Sequence, residues 1–462
     1  PDLALYASAH LLLPSVELAQ YVAGLVHLLL FVWLAYRLVA NVLGGRALAA
    51  VCTGLLLVPL LVIRIAELAD IPGLGPLFRL TNHGGAVLGT VAVLGLCSDV
   101  GHRGPGRGLL IAAIAVLTGV SDPLFAASCA MPLLAMGVAA CIPPVWRLLV
   151  GSADQERPAL RNHLLIAGLA GLAGSALTSR VHAMLNVLND VVLSKTREHV
   201  WRGLWRDLSE GHPGQGAWLL VVVLLCVWTL LRRKDSRSGV LRIFALWQLG
   251  SFVATLAAII WTKNYLDGGS LRYLTVPFGL APVFVGARLG RWIDSPIDNT
   301  RSARLVAGGS ALMCIALAGA AISCTPLIAR GELKSAWRAK ARCVAEVVAR
   351  EDVDVVLTDY WRCKPLLLFS DRQVRALQMR SKLKRPYFWI ASRGWYRGEH
   401  RFGVIATNEL RPDAIIRAYG EPAQIDHCDD IELFSYRGRA REKLTANMNR
   451  MFRGFVADPH PP

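Results

Sequence analysis

Apolar residues along the chain gather into ten runs divided by short polar loops. Their cores are Tyr21–Val39, Ala47–Ile63, Gly84–Cys97, Leu109–Val120, Pro123–Ile142, Leu164–Thr178, Ala217–Leu231, Ile243–Trp261, Leu274–Leu289 and Leu305–Ser323. Continuous runs of this kind predict helices that cross a bilayer, for which about 20 residues suffice. Several runs are shorter, so they borrow flanking polar residues or tilt little. Basic residues sort between alternate loops. Five short loops carry sixteen Lys and Arg, from Arg37 and Arg46 through Arg232, Arg233 and Lys234 to Arg301 and Arg304. The three short loops between them carry four: Arg64, Arg79, Lys263 and Arg272. Cytoplasmic loops are the Lys/Arg-rich ones. The N-terminus, the Ser121–Asp122 turn, the longer loop Arg180–Gly216 and everything after Ser323 are therefore expected on the outer side.

Between Arg107 and Arg147 the only charged residue is Asp122, inside Gly119-Val120-Ser121-Asp122-Pro123-Leu124-Phe125. Pro123 has no amide hydrogen and disfavours helix at Asp122, so one helix ends there and a second begins. Ser121 or Asp122 can cap the second helix; alternatively, a carboxylate at the membrane interface serves binding or chemistry. In the long outer loop, Val181, Met184, Leu185, Val187, Leu188, Val191 and Val192 recur at helical spacing. They predict an amphipathic helix on the outer surface, with Trp201 and Trp205 anchored among headgroups.

From about residue 331 the pattern changes to that of a compact α/β domain. Ala336–Arg350 reads as a helix and Val353–Leu357 as a buried strand. Pro365–Phe369, Tyr387–Ile390, Phe402–Ile405 and Ile431–Tyr436 are further strand candidates, with a helix near Pro412–Tyr419 and a basic, helical or loose tail after Arg437. The fold class is thus a membrane α-helical bundle of about ten transmembrane helices, residues 1–330, followed by a small extracytoplasmic α/β domain, residues 331–462.

Composition agrees. The 462 residues are 54% hydrophobic and only 18% charged, with mean hydropathy +0.43, whereas soluble domains are nearer a quarter charged. The net charge of +17 is spread through loops rather than gathered in one patch, so it reads as topology and not as a nucleic-acid footprint. The chain begins at Pro1, without a basic leader, so further residues are expected upstream. No cysteine spacing suggests zinc. Cys343, Cys363 and Cys428 lie in the domain expected outside, where disulfides persist. Cys343 with Cys428 is the pairing we expect, Cys363 the alternative partner for either, and three free thiols the remaining possibility.

Phosphate-binding glycine loops, HExxH and nucleophile elbows are absent. Chemistry is expected where outer loops meet the membrane. There lie Asp2; Glu67, Asp70 and His83; Asp122; and Lys263, Tyr265, Asp267, Arg272 and Tyr273. Carboxylates, an imidazole and cations together can activate a hydroxyl and bind a lipid phosphate. Taken singly, each is also what an interface or a helix cap requires. A transporter would show repeat symmetry and polar residues at mid-membrane depth, and neither is legible. A scaffold that binds envelope partners through its outer domain is the other rival.

The order of elements resembles the GT-C glycosyltransferases, polytopic enzymes that use polyprenyl-phosphate-linked sugars. The likeness rests on Pro1-Asp2-Leu3, on Ser121-Asp122-Pro123-Leu124-Phe125, and on Arg272-Tyr273-Leu274 with Pro277. These resemble bacterial relatives of the protein O-mannosyltransferases and the lipid A aminoarabinose transferase. Asp359-Tyr360-Trp361 with Lys364, and Tyr419-Gly420-Glu421-Pro422, are similar to the outer domain of such proteins. The resemblance implies a bacterial inner-membrane location with a periplasmic C-terminal domain. It implies inverting transfer from a polyprenyl-phosphate sugar to an envelope glycan, lipid or protein; no cofactor is expected, and a divalent metal is left open. It makes Asp2 and Asp122 the catalytic carboxylates. His83, Lys263, Arg272 and Tyr273 would bind the donor, and Asp359, Tyr360 and Trp361 would offer a sugar a platform and a carboxylate.

Overall fold

A computed structural model of the chain describes residues 11, 16–43, 83–99, 105–150, 157–184, 187–188, 196–211, 213–231, 239–263, 271, 273–293, 336–370, 373–387, 391–407 and 410–457. Two compact units emerge, Pro1–Ser179 with Val192–Pro326, and Arg180–Val191 with Leu327–Pro462. The segment 180–191 thus belongs with the C-terminal unit rather than with the membrane unit expected from the sequence.

The first unit is helical: α1 (Val16–Leu43), α2 (Gly84–Ser98), α3 (Pro105–Ser121), α4 (Met131–Ala140), α5 (Pro143–Val150), α6 (Arg157–Met184, whose last turn passes into the second unit), α7 (Arg197–Arg206), α8 (Pro213–Leu231), α9 (Gly239–Thr262) and α10 (Thr275–Ile293). Seven of the ten apolar runs lie in these helices, and an eighth, Pro123–Ile142, is made of α4 and the π-helical segment Ala126–Ala130 before it; Ala47–Ile63 and Leu305–Ser323 lie outside the described residues. Among the described residues three helices are long and apolar enough to cross a membrane: Val22–Leu43, Pro158–Val181 and Gly239–Thr262. Four further apolar helices are shorter. These elements are compatible with a transmembrane protein; the described residues do not establish ten spans.

Helix α2 is apolar all round and almost wholly buried, as an inner helix must be. The outer helices present Leu29, Trp33, Leu117, Leu224 and Val253 outward, a surface suited to lipid. In α10, Pro282 removes one helical hydrogen bond. The nearby carbonyl of Pro277 accepts a 2.7 Å bond from buried Gln248 Nε2 on α9. At the ends of α2 and α8 that lie next to basic loops, arginines satisfy helix carbonyls. Arg107 Nε donates to Leu96 O at 2.9 Å, and Arg242 donates to Leu230 O at 2.9 Å. A cation at a helix C-terminus is the favoured arrangement.

Helices α3 and α6 approach backbone to backbone because glycines line the seam. A Cβ on Gly174 would stand 2.4 Å from Val116 O, and one on Gly119 would stand 2.5 Å from Gly171 O. Small residues serve this purpose in membrane helix packing. Gly174→Leu is expected to force the helices apart, costing about 2–3 kcal/mol. Reduced thermal stability of the detergent-solubilised protein would register it.

The C-terminal unit contains α11 (Ala336–Arg350), β2 (Val355–Thr358), α12 (Tyr360–Phe369), β3 (Arg375–Gln378), β5 (Phe402–Ala406), α13 (Pro412–Tyr419), β6 (Gln424–Cys428), β7 (Ile431–Ser435) and α14 (Gly438–Ala457). Two short strands complete it. They are β1 (Val187–Leu188) and β4 (Ala391–Ser392), paired antiparallel. The main sheet has the order β3-β2-β5-β7-β6. Strand β2 is parallel to β3 and β5, while β7 is antiparallel to β5 and β6. Val355, Leu357, Phe402, Ile405 and Phe434 join Leu444, Met448 and Phe452 of α14 in one core.

Two expectations are corrected. Pro365–Phe369 is the end of helix α12, not a strand; Asp359 caps that helix and Pro365 sits inside it. The helix expected over Val181–Val192 ends at Met184, and Val187–Leu188 is a strand, because Ala391–Ser392 supplies the backbone partners. The amphipathic helix of this region is α7 instead. It carries Trp201 and Trp205, both exposed and stacked at 6.4 Å.

Cys343 on α11 and Cys428 on β6 form a disulfide, with Cα atoms 5.7 Å apart. Cys363 on α12 is buried and free. Nearby, buried Glu351 accepts two bonds from Arg437, at 2.9 and 2.6 Å. That guanidinium holds the Glu351 carboxyl below the ordinary glutamate value. A carboxyl depressed in the folded state stabilises the fold above its unfolded value of about 4.3 and loses that contribution as pH falls through the folded value. Glu351→Gln should therefore flatten the acid limb of the domain's stability profile below about pH 4.3.

Candidate functional site

The turn singled out from the sequence is braced from several sides. Helix α3 ends at Ser121, and Asp122 Oδ1 accepts the Leu124 amide at 3.0 Å, capping the chain into the next helix. Thr178 Oγ1 of α6 donates to the carbonyls of Gly119 and Val120, at 3.1 and 3.3 Å. Gly171 lies so close to Phe125 that a Cβ there would be 2.8 Å from the ring. The carboxylate is thereby fixed on a seam of two close-packed helices.

Its second oxygen, Oδ2, lies 2.7 Å from His83 Nδ1. His83 precedes α2 with a left-handed backbone, φ 60°. Residues with a Cβ adopt that conformation uncommonly, and strain of this kind gathers at functional positions. The contact is largely shielded, with side-chain exposures of 22% for His83 and 12% for Asp122. Tyr273, just before α10, lies 5.7 Å from the imidazole centroid to centroid. The capping reading of Asp122 holds on one oxygen, and the other oxygen meets an imidazole. When Nδ1 carries the hydrogen it donates to Asp122, and Nε2 presents its lone pair. Nε2 has no hydrogen-bond partner among the described residues.

Three of the candidates expected on the outer side, Asp122, His83 and Tyr273, therefore stand together. Lys263 follows the last turn of α9, also with positive φ, 58°, and its amide bonds to Ile260 O; a cation there suits the helix C-terminus. Asp2 and Arg272 lie outside the described residues.

In the C-terminal unit, Asp359 does not offer a free carboxylate. Its Oδ1 accepts the Trp361 and Arg362 amides at 2.8 and 3.1 Å, and its Oδ2 pairs with Arg362 at 2.8 Å. A short polar residue before a helix is taken up by capping. Tyr360 and Trp361 remain an aromatic pair, with centroids 4.9 Å apart. Tyr387 adds a third ring, 5.9 Å from Tyr360. The sequence reading did not count Tyr387, nor Arg380, whose guanidinium lies 5.8 Å from its centroid. It also missed the brace under Asp122, although Gly168, Gly171 and Gly174 recur every third residue and Thr178 follows.

Among the described residues no three His, Cys, Asp or Glu side chains converge as metal ligands. Comparison with protein-family models, with curated proteins and with solved structures finds no match.

Proposed function

We propose that the protein is a membrane glycosyltransferase that moves a sugar from a polyprenyl-phosphate donor to a hydroxyl of an envelope acceptor. The observation that carries the reading is the 2.7 Å contact between His83 and Asp122 beside a tyrosine, where apolar helices end. Asp122 holds the imidazole in one orientation and tautomer, so that Nε2 serves as general base. His83 thus takes the proton-accepting role first given to a carboxylate, because both Asp122 oxygens are engaged. The acceptor hydroxyl gives its proton to Nε2 and its oxygen forms a bond to the anomeric carbon. The bond from that carbon to the phosphate oxygen breaks, and polyprenyl phosphate leaves with the electron pair. Attack opposite the leaving group inverts the anomeric centre. Lys263 and Arg272 are the cations proposed to balance the departing phosphate. The loop-charge pattern supports placing this chemistry on the outer face of the inner membrane, with the C-terminal domain in the periplasm.

The test is transfer of radiolabel from a polyprenyl-phosphate sugar in membranes holding the protein. Label must appear in envelope material with the wild-type chain and not with His83→Ala. A shielded His–Asp pair among membrane helices also suits a proton relay in a transporter. That rival is favoured if no label transfers while a proton-driven flux depends on His83.

A further inference from the structure

Strand β2 lies between β3 and β5, parallel to both. The chain leaves β2 through α12 towards β3, and later returns to the other side of β2 as β5. Where connections diverge like this, a crevice opens at the carboxyl ends of the parallel strands, and ligands bind there. The residues at those ends are a matched set. Tyr360, Trp361 and Lys364 follow β2. Arg380 and Tyr387 follow β3, with Tyr387 N donating to Gln378 O at 3.0 Å. Behind β5, Arg411 N donates to Ser381 O at 2.7 Å, tying the third loop to the same end.

The chemistry of the set is aromatic and cationic. Trp361 is 48% exposed and edge-on to Tyr360, which is edge-on to Tyr387. Lys364 Nζ lies 4.8 Å from the Tyr360 centroid and 3.5 Å from its hydroxyl. It has no carboxylate partner among the described residues, and burial pulls its ammonium below the ordinary lysine value. The hairpin after β3 adds Lys382, Lys384 and Arg385, all exposed, and holds no acid between residues 379 and 387. The carboxylate that directly follows β2, Asp359, is taken up by the cap and Arg362, and Glu432 beside the end of β5 accepts from Thr407 Oγ1 at 2.8 Å.

We infer that the carboxyl edge of this sheet binds an anionic saccharide, its ring stacked on Trp361 and Tyr360 and its carboxylate or phosphate met by Lys364 and the 380–385 hairpin. An aromatic face takes the apolar face of a sugar ring, and an under-compensated ammonium takes the charge. The ligand's role as acceptor in the proposed transfer rests on that reading; the site itself does not.

The experiment is equilibrium binding to the purified full chain in neutral detergent. Tetragalacturonate probes the carboxylate, mannose 6-phosphate the phosphate and maltotetraose the neutral sugar. Inorganic phosphate and phosphatidylglycerol vesicles serve as further probes. At least one anionic sugar should bind roughly tenfold or more tightly than maltotetraose, with inorganic phosphate much weaker. Trp361→Ala and Lys364→Gln should each weaken that binding roughly tenfold. The exposed double variant Lys382→Glu/Lys384→Glu should weaken it at least as much while leaving the thermal melt unchanged. Asp122→Asn should bind as wild type. If the label-transfer assay fails while this binding holds, the transferase reading falls and the site stands. The site is overturned if neither anionic sugar binds, if maltotetraose or inorganic phosphate matches them, or if the variants bind unchanged. Binding confined to the vesicles overturns it too, assigning the edge to lipid.

Discussion

Asp122→Asn is expected to lower label transfer by roughly 10²–10⁴-fold while the protein folds and melts as before. The separation arises because the carboxylate has two jobs on two oxygens. Oδ1 receives the Leu124 amide at 3.0 Å, and an asparagine carbonyl does that about as well as aspartate. Oδ2 faces His83 Nδ1 at 2.7 Å, and there the amide of asparagine presents hydrogens instead. To accept one of them His83 must move its own hydrogen to Nε2, and the nitrogen proposed to take the hydroxyl proton then has no lone pair. Side-chain packing changes little, so the loss falls on kcat rather than on stability. Asp122→Ala removes both jobs, and loses stability by about 1 kcal/mol as well as activity. Full activity in Asp122→Asn would reduce the residue to a cap. A fall in stability matching the fall in activity would make the loss one of folding.

The helices were legible because their signal is long and continuous. Gly84–Cys97 and Ile243–Trp261 hold no charged residue, and each became one helix. The break at Asp122-Pro123 was legible for the opposite reason, since proline and a capping residue act within one turn. What the sequence concealed is pairing over distance. His83 and Asp122 are 39 positions apart; the loop pattern put both among the residues expected on one side, but nothing in either neighbourhood records that their side chains meet. Val187–Leu188 carries helical spacing, yet its fate was decided by a partner strand more than 200 positions on. Pro365–Phe369 shows how a short apolar run misleads. Periodicity cannot separate strand from buried helix over five residues, and the decisive capping bonds came from Asp359 upstream. Strand β6 was missed because its burial alternates and its sequence, Gln424-Ile425-Asp426-His427-Cys428, is mostly polar.

Removing the disulfide with Cys343→Ser/Cys428→Ser is expected to destabilise the C-terminal domain by roughly 4 kcal/mol, since an 85-residue separation is closed. For a domain of this size that corresponds to a fall in melting temperature of roughly 15 °C. The bond joins α11 to β6 and encloses β2, β3 and β5, so the open chain it excludes is most of the sheet. Once it is gone, α11 keeps its buried Val344, Val347 and Val348 and its ion pairs to that edge, Lys340 with Asp429 at 2.9 Å and with Asp430, and Arg350 with Asp426. Such pairs contribute about 0–1 kcal/mol each and weaken with salt, so they do not make up for the lost bond. Cys363 offers no rescue in a single Cys428→Ser variant. Its thiol is buried, bonded to Ala376 O at 3.3 Å, and pushed up to about 12, and exchange requires a thiolate that can be reached. Guanidinium or thermal unfolding of the full chain, read by proteolysis of the 336–457 region, measures the effect. An unchanged midpoint in the double variant, or two free thiols by mass spectrometry of the protein from oxidised membranes, would remove the bond from the account of this domain's stability.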